Sequence, residues 1–179
     1  MEDFVQKPVF MIRIAITGPE SSGKTTLSEA LSKTLNGLLV PEFARTYLMD
    51  LDRDYNENDL LIIAGNQFKS NSQSTHLPYL IADTEMTVLK IWSEVKYGTC
   101  APEIKDLLKQ QQFDHYFLCF PDIPWEDDPL REHPEMREEL FHLYHSELES
   151  RQLPYTIISG DPAQRIDLCL KTLGVINKN

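Results

Sequence analysis

The segment GPESSGKT, residues 18–25, constrains the fold of this chain more than any other stretch. It follows the apolar run MIRIAIT and precedes Leu27, Leu31 and Leu35, which are spaced as in an amphipathic helix. The segment matches the pattern GxxxxGK[ST] at every required position. A glycine-rich turn between a buried strand and a helix directs backbone N–H groups at phosphate oxygens, and the helix N-terminus adds its dipole. The segment therefore predicts a phosphate-binding loop, or P-loop.

Each residue type in this loop has a role in holding a nucleotide. The two glycines let the backbone curl, the lysine reaches the terminal phosphates, and the threonine hydroxyl is suited to coordinate Mg²⁺. We therefore expect ATP and Mg²⁺ as ligands. The predicted nucleotide-binding residues are Gly18, Glu20, Ser21, Ser22, Gly23, Lys24, Thr25 and Thr26.

The charge of the chain limits its partners. The formal net charge is -11, so nucleic acid and anionic membranes are repelled at long range. We expect neither as a partner, and a small-molecule acceptor instead. The three cysteines form no CxxC pair, no apolar run is long enough to span a membrane, and the N-terminus does not resemble a signal peptide. These features predict a cytoplasmic protein.

Short apolar runs alternate with helical patterns over the whole chain, as in an α/β protein. The alternation predicts a five-stranded parallel sheet with helices on both faces, in one domain at residues 11–179 behind a tail at residues 1–10. The predicted strands are residues 11–17, 38–40, 79–82, 115–120 and 155–159, and the predicted helices are residues 24–36, 58–71, 85–96, 102–111, 135–151 and 162–173.

Ligands of parallel α/β sheets bind beyond the carboxyl ends of the strands, so the residues that follow each strand are the candidates for function. Glu42 and Arg45 follow the second strand, where an acceptor would approach the phosphate donor. Asp83 follows the third strand, where a carboxylate can orient the acceptor hydroxyl or hold Mg²⁺ through water, and Glu85 is a second candidate. The alternatives are a solvated helix start at Glu42 and a helix N-cap at Asp83 or Thr84.

The segment after the fourth strand is long, irregular and rich in proline and acid, which is typical of a lid. The predicted lid covers about residues 121–137, with Trp125, Asp128 and Arg131 as its candidate functional residues. A lid arginine can stabilise the charge on a transferred phosphoryl group. The alternative is an acidic surface loop anchored by the tryptophan. Arg165 follows the fifth strand, near the expected position of the nucleotide base.

The motifs around the P-loop favour a small-molecule kinase. The segment after the third strand lacks the glycine of DxxG, the only Asn-Lys pair is at the chain end without the aspartate of NKxD, and no LSGGQ-like signature is present. A P-loop, acids after two strands and a lid remain. They predict catalysis by Lys24, Glu42, Asp83 and Arg131, with Thr25 and Asp83 at the metal.

Four segments together carry a more specific resemblance. GPESSGKTTL, VPEFAR, IADTEMTVLKIWSEVKYG and PWEDDPLR resemble the ribosylnicotinamide kinase domain of the NadR family, from about residue 13 to residue 173. The resemblance implies an ATP- and Mg²⁺-dependent kinase that phosphorylates the 5′-hydroxyl of nicotinamide riboside, here as a stand-alone domain. It also implies that Lys24 and Thr25 bind ATP and Mg²⁺, that Glu42 and Asp83 face the acceptor or the metal, and that Trp125, Asp128 and Arg131 belong to the lid. The residues that we expect to contact the acceptor are Glu42, Arg45, Phe68, Asp83, Trp125 and Asp128.

Several positions depart from the resemblance, and one of them, Pro41, bears on the acceptor. Some relatives carry an aromatic residue where this chain has Pro41, and that residue can stack on the pyridine ring. We expect Phe68 or Trp92 to supply the stacking here. Two other functions stay open at this point: a kinase for a different nucleoside, and a regulatory ATP-binding module that hydrolyses ATP slowly.

Overall fold

The structure is a computed structural model that describes residues 11–175. The predicted tail, residues 1–10, lies outside the described residues. The strands are β1 (Ile12–Thr17), β2 (Leu38–Val40), β3 (Tyr79–Ala82), β4 (His115–Cys119) and β5 (Tyr155–Ile158). The helices are α1 (Lys24–Thr34), α2 (Phe43–Met49), α3 (Glu57–Asn71), α4 (Met86–Tyr97), α5 (Pro102–Gln110), α6 (Arg137–Ser150) and α7 (Pro162–Thr172).

The strands form one five-stranded sheet in the order β2-β3-β1-β4-β5, and every neighbouring pair is parallel. β1 lies in the centre, where Ala15 is opposite Ala82 on one side and Tyr116 on the other. Because the strands are parallel, all their carboxyl ends meet at one edge of the sheet. The P-loop and the segments after the other strands therefore lie at this edge, and the predicted P-loop α/β fold is confirmed.

Helices cover both faces of the sheet, and alternate residues of the strands divide the core between them. Ile14 and Ile16 of β1 pack with Leu31 of α1 and Leu170 of α7, whereas Ala15 faces the larger core of α3 to α6. All of these side chains are buried. A strand that is buried on both faces requires the nearly continuous apolar sequence seen here.

Local sequence sets the ends of several helices. Asn56 and Asp59 form a reciprocal capping box at the start of α3, and Asp161 and Gln164 form another at the start of α7. Gly98, with φ of 72°, ends α4 in the left-handed conformation that glycine adopts most readily. The ends of the predicted helices differ from the observed ones by at most two residues.

One helix was not predicted. α2 begins two residues after Pro41, and only Ala44 among its seven residues is buried. A helix this short carries no repeating apolar stripe, and its N-cap residue, Glu42, makes no side-chain capping hydrogen bond. The sequence signals that identify longer helices are therefore absent, although α2 places Arg45 beside the P-loop edge.

We predict that Leu31→Ala lowers the free energy of unfolding by about 3 kcal/mol, because it leaves a cavity in a fully buried position between α1 and the sheet. The measurement is urea unfolding monitored by circular dichroism. Ile62→Ala, at a position 46% exposed, is the matched control and is expected to cost about 1 kcal/mol or less. Equal losses in the two variants would contradict this assignment of the core.

Candidate active site

A cleft of about 190 Å³ opens at the carboxyl edge of the sheet, between the P-loop, α2, α4 and the segment after β4. The structure brings most of the predicted site residues together in it. Those that line the cleft are Gly18, Glu20, Ser21, Ser22, Gly23, Lys24, Thr25, Thr26, Glu42, Arg45 and Arg131.

The backbone of the P-loop requires glycine at its first position. Gly18 has φ of 130°, and a Cβ atom there would lie 2.7 Å from the carbonyl oxygen of Cys119 on the neighbouring strand. Gly23, with φ of 82°, is the N-cap of α1 and has no side chain to occupy the N–H groups of the first turn. These N–H groups and the helix dipole are suited to bind phosphate. Lys24 Nζ lies at the same end of the helix and donates to the Pro19 carbonyl oxygen at 2.7 Å.

Two acids meet at the ends of neighbouring strands. Val40 of β2 is opposite Ala82 of β3, and the Asp83 N–H donates to the Val40 carbonyl oxygen at 2.9 Å. Glu42 and Asp83 therefore lie side by side, with Lys24 close to both. Glu42 lines the cleft, whereas Asp83 is buried behind it. Both acids thus lie where their strands end, beside the P-loop lysine, and their roles toward an acceptor or a metal stay predictions.

Burial dominates the electrostatics of both acids. Burial raises the pKa of Glu42 above its usual range, against the opposing effect of Lys24 and Arg45. Burial also raises the pKa of Asp83 to about 6, although the Thr25 hydroxyl and the Lys24 ammonium lower it. Each carboxylate is therefore more basic than an exposed one.

Asp83 and Thr25 fit a magnesium ion. The buried Asp83 Oδ1 has no hydrogen-bond partner within the described residues, and an unpartnered buried carboxylate oxygen is costly unless a cation neutralises it. Thr25 contributes a hydroxyl oxygen on the same side. Oxygen donors of these types are the ones that Mg²⁺ prefers.

Glu85, the second candidate after β3, has a different role. Its carboxylate is fully buried and accepts hydrogen bonds from Thr17 Oγ1 at 2.9 Å, Thr87 N at 2.7 Å and Gln111 Nε2 at 2.7 Å. It is the N-cap of α4, so the alternative of an N-cap at Asp83 or Thr84 was wrong. With its oxygens occupied, Glu85 holds the ends of β1 and α5 together and does not face the cleft.

The segment after β4 lies over the P-loop, as a lid would. The Glu20 carboxylate accepts from the backbone N–H groups of Glu132 and His133, both at 3.0 Å. Ser21 Oγ accepts from the Glu126 N–H at 3.0 Å. Arg131 of this segment reaches into the cleft. The central residues of the P-loop thus bind the backbone of the lid directly.

Two other predicted lid residues lie beside the cleft without lining it. Asp128 forms an ion pair with Arg45 at 2.8 Å, which joins the lid to α2. The Trp125 ring lies 5.9 Å from the guanidinium carbon of Arg131 and 5.8 Å from that of Arg137. Such distances permit cation–π attraction that orients both arginines. Contact between either residue and an acceptor stays a prediction.

Arg165 lies beneath the P-loop. Its guanidinium is 4% exposed and donates to the carbonyl oxygens of Ser22 at 2.6 Å and Phe120 at 2.9 Å, and it forms an ion pair with Asp122. These bonds occupy the group that was predicted to meet the nucleotide. The structure instead places Arg165 as a support for the P-loop backbone.

The cleft also has an apolar wall, which the sequence interpretation missed apart from Trp92. Phe68 does not reach it, because its ring packs on the hydrophobic core of α3 to α6. The wall residues recur at helical spacing, and from sequence such a face cannot be distinguished from core. The apolar and aromatic residues of this wall are Ala44, Leu48, Val88, Ile91, Trp92, Val95, Leu130, Leu140 and Tyr144.

This arrangement defines a class of protein. A P-loop follows the central strand, acids follow β2 and β3, and a lid follows β4. The fold is that of the P-loop nucleoside and nucleotide kinases. None of the helices in the described range, residues 11–175, has the length and apolar character needed to cross a membrane.

Comparison with known proteins gives the family. The family described as AAA domain matches residues 13–165, and the chain belongs to it. The trifunctional NAD biosynthesis/regulator protein NadR of Salmonella typhimurium is 26% identical over 131 residues, which cover 70% of this chain and 32% of that protein. The chain thus spans about a third of the length of this relative.

Solved structures support the same fold. A crystal structure of NadR protein in complex with NR superposes with a TM-score of 0.78 at 20% identity, over 95% of this chain and 54% of that one. Deoxyadenosine kinase from M. mycoides superposes with a TM-score of 0.66 at 18% identity, over 92% of this chain and 100% of that one. The resemblance to the NadR kinase domain is confirmed.

We predict that Asp83→Asn stabilises the protein at pH 7 by on the order of 2 kcal/mol when no Mg²⁺ is present. The folded-state pKa, about 6, lies above the ordinary value of 3.8, so the ionised carboxylate destabilises the fold as the pH rises between these values. The gain should be absent below about pH 4 and complete above about pH 6, in urea unfolding at several pH values. A loss of stability at pH 7 would show that Lys24 and Thr25 outweigh the cost of burial.

Proposed function

We propose that this protein is an ATP-dependent kinase that transfers a phosphoryl group to a hydroxyl of a nucleoside, with nicotinamide riboside as the acceptor and nicotinamide mononucleotide as the product. The observation that supports it most is the cleft itself. Its polar floor contains Lys24 beside Glu42, and its apolar wall starts within the same cavity. A ribose hydroxyl on the floor and a flat base on the wall fit these two surfaces.

The comparisons support the same proposal. One NadR structure was solved with NR, another with NAD and AMP-PNP, and deoxyadenosine kinase was solved with dATP. AMP-PNP is an analogue of ATP that resists hydrolysis. These ligands belong to the similar proteins, and they support the proposal that this chain binds a nucleotide and a nucleoside.

Each polar residue has a distinct task in this mechanism. The P-loop N–H groups and Lys24 hold the β- and γ-phosphates of ATP, which requires the lysine to exchange the Pro19 carbonyl oxygen for phosphate. Glu42 accepts the proton of the attacking hydroxyl, because it faces the cleft and its raised pKa makes it a better base. Arg131 neutralises charge on the transferred group from the lid side.

Thr25 and Asp83 would hold Mg²⁺, which supplies charge neutralisation at the β- and γ-phosphates when it is bound. The lid excludes water from the cleft, since its backbone N–H groups are bound to Glu20 and Ser21 of the P-loop. Phosphate transfer to the acceptor is then favoured over transfer to water.

Release of ADP with and without nicotinamide riboside tests the proposed acceptor. We expect riboside-dependent ADP formation in equal amount to nicotinamide mononucleotide, measured by coupled assay and chromatography. Lys24→Ala removes the ammonium that is proposed to hold the phosphates, and it serves as the control. This variant should lose the activity while keeping the circular dichroism spectrum of the wild type. Folded protein that turns over deoxyadenosine and not the riboside would reassign the acceptor. Slow ATP hydrolysis that no acceptor changes would favour a regulatory module instead.

We predict that Glu42→Gln lowers kcat by about 10²- to 10⁴-fold, because glutamine cannot accept the proton of the attacking hydroxyl. ATP affinity, measured by calorimetry with a nonhydrolysable analogue, should change little, since the phosphates bind the P-loop and not position 42. Asp83→Asn is the matched comparison and should weaken Mg²⁺-dependent binding of the analogue. A collapse of ATP affinity in Glu42→Gln would mean that Glu42 belongs to the metal site.

A further inference from the structure

A chain of hydrogen bonds connects the apolar wall of the cleft to the lid. Trp92 lines the cleft, and its Nε1–H donates to the Tyr55 hydroxyl oxygen at 2.8 Å. The Tyr55 hydroxyl in turn donates to Glu132 Oε1, in the lid, at 2.9 Å. The Glu132 backbone N–H donates to Glu20 Oε2, in the P-loop, at 3.0 Å. One continuous path therefore joins the acceptor wall, the lid and the phosphate-binding loop.

The Tyr55 ring is held in place from several sides. It packs edge-on against the Trp92 indole with ring centroids 5.3 Å apart. Lys96 Nζ lies over the Tyr55 ring, 3.8 Å from its centroid. Lys96 Nζ also donates to Glu132 Oε1 at 2.7 Å. The Tyr55 hydroxyl and the Lys96 ammonium thus donate to the same lid oxygen. Hydrogen bonds to a charged group are stronger than hydrogen bonds between neutral groups.

The loop that carries Tyr55 is itself fixed by a buried acid. Asp59, at the start of α3, accepts from Arg53 at 2.7 and 2.8 Å, from the Tyr47 hydroxyl at 2.8 Å and from the Asn56 N–H at 2.8 Å. These bonds surround the loop on both sides of Tyr55. They therefore fix the loop that carries the Tyr55 hydroxyl. That hydroxyl donates the only hydrogen bond between the α2–α3 loop and the lid among the described residues.

We propose that Tyr55 is a positioning residue for phosphoryl transfer, which couples the acceptor wall at Trp92 to closure of the lid at Glu132. The inference rests on the proposed function for its catalytic part. Tyr55 does not line the cleft, and it acts through its two hydrogen-bond partners, Trp92 and Glu132. With the hydroxyl in place, the lid stays over the P-loop and water is kept from the transferred phosphoryl group.

Tyr55→Phe removes the link while keeping the ring. We expect amide hydrogen exchange at residues 126–137 to become about tenfold faster in this variant, as loss of a hydrogen bond to a charged group predicts. Tyr97→Phe is the matched control. The Tyr97 hydroxyl donates to the same loop, at a long distance of 3.5 Å from the Tyr55 carbonyl oxygen, and forms no hydrogen bond to the lid among the described residues. Exchange as slow in Tyr55→Phe as in the wild type, or equally fast in both variants, would overturn the proposal.

A second variant tests whether Tyr55 acts through Glu132. Glu132→Ala removes the side chain and keeps the backbone N–H that binds Glu20. Because the two residues act in series, Tyr55→Phe should change lid exchange no further in this background. An additional tenfold change in the double variant would show that Tyr55 loosens the lid by another route and would refute the coupling.

Turnover gives the functional readout. In the wild type, the ratio of ADP to phosphorylated riboside should be close to one, and in Tyr55→Phe it should rise several-fold with a fall in kcat and a smaller change in KM for ATP. An unchanged ratio together with faster lid exchange would refute the catalytic part of the proposal. Wild-type protein that ignores the riboside would refute the proposed acceptor, and the exchange measurements would still decide the role of Tyr55.

Discussion

The geometry of the site depends on one buried carboxylate. Glu85 has no exposed surface, and its carboxyl oxygens accept hydrogen bonds from Thr17, Thr87 and Gln111. Removing such a group would leave several donors unpaired in the interior. Because Thr17 is the last residue of β1, the same carboxylate fixes the strand end from which the P-loop starts. The P-loop, β3 and α4 are thereby held in one arrangement.

This anchor also explains the strained backbone beside it. Thr84 has φ of 138°, a conformation that residues with a side chain rarely adopt, and its hydroxyl is buried without a partner among the described residues. Thr84 lies between the two acids in the chain, and its turn directs them differently. Glu85 is directed into the interior, and Asp83 remains beside Thr25 and Lys24. The strain is offset by the hydrogen bonds of Glu85, so this structural acid fixes the position of Asp83.

The sequence was sufficient to predict which strand ends carry the site, but it was insufficient to predict the apolar wall of the cleft. The P-loop pattern and the alternation of strands and helices predicted the carboxyl edge of the sheet, and with it the convergence of Lys24, Glu42 and Asp83. Apart from Trp92, the apolar residues of the wall could not be assigned, because residues at helical spacing have the same pattern in a core and in a cleft. Arg165 was misjudged for a related reason: its position after β5 was correct, but only coordinates show that its hydrogen bonds go to the P-loop backbone.

Charge relates these parts to the ligand they are built to hold. A chain with net charge -11 repels a polyanion at long range, so binding depends on cations concentrated at short range. Three cations line the cleft: Lys24, Arg45 and Arg131. Each is held by a different partner. Lys24 donates to a backbone carbonyl oxygen, Arg45 pairs with Asp128, and Arg131 donates to the lid backbone. The partners of Arg45 and Arg131 belong to the lid. In the proposed mechanism, lid closure therefore positions these cations and also excludes water. A substitution that loosens the lid weakens the cation arrangement and the exclusion of water together.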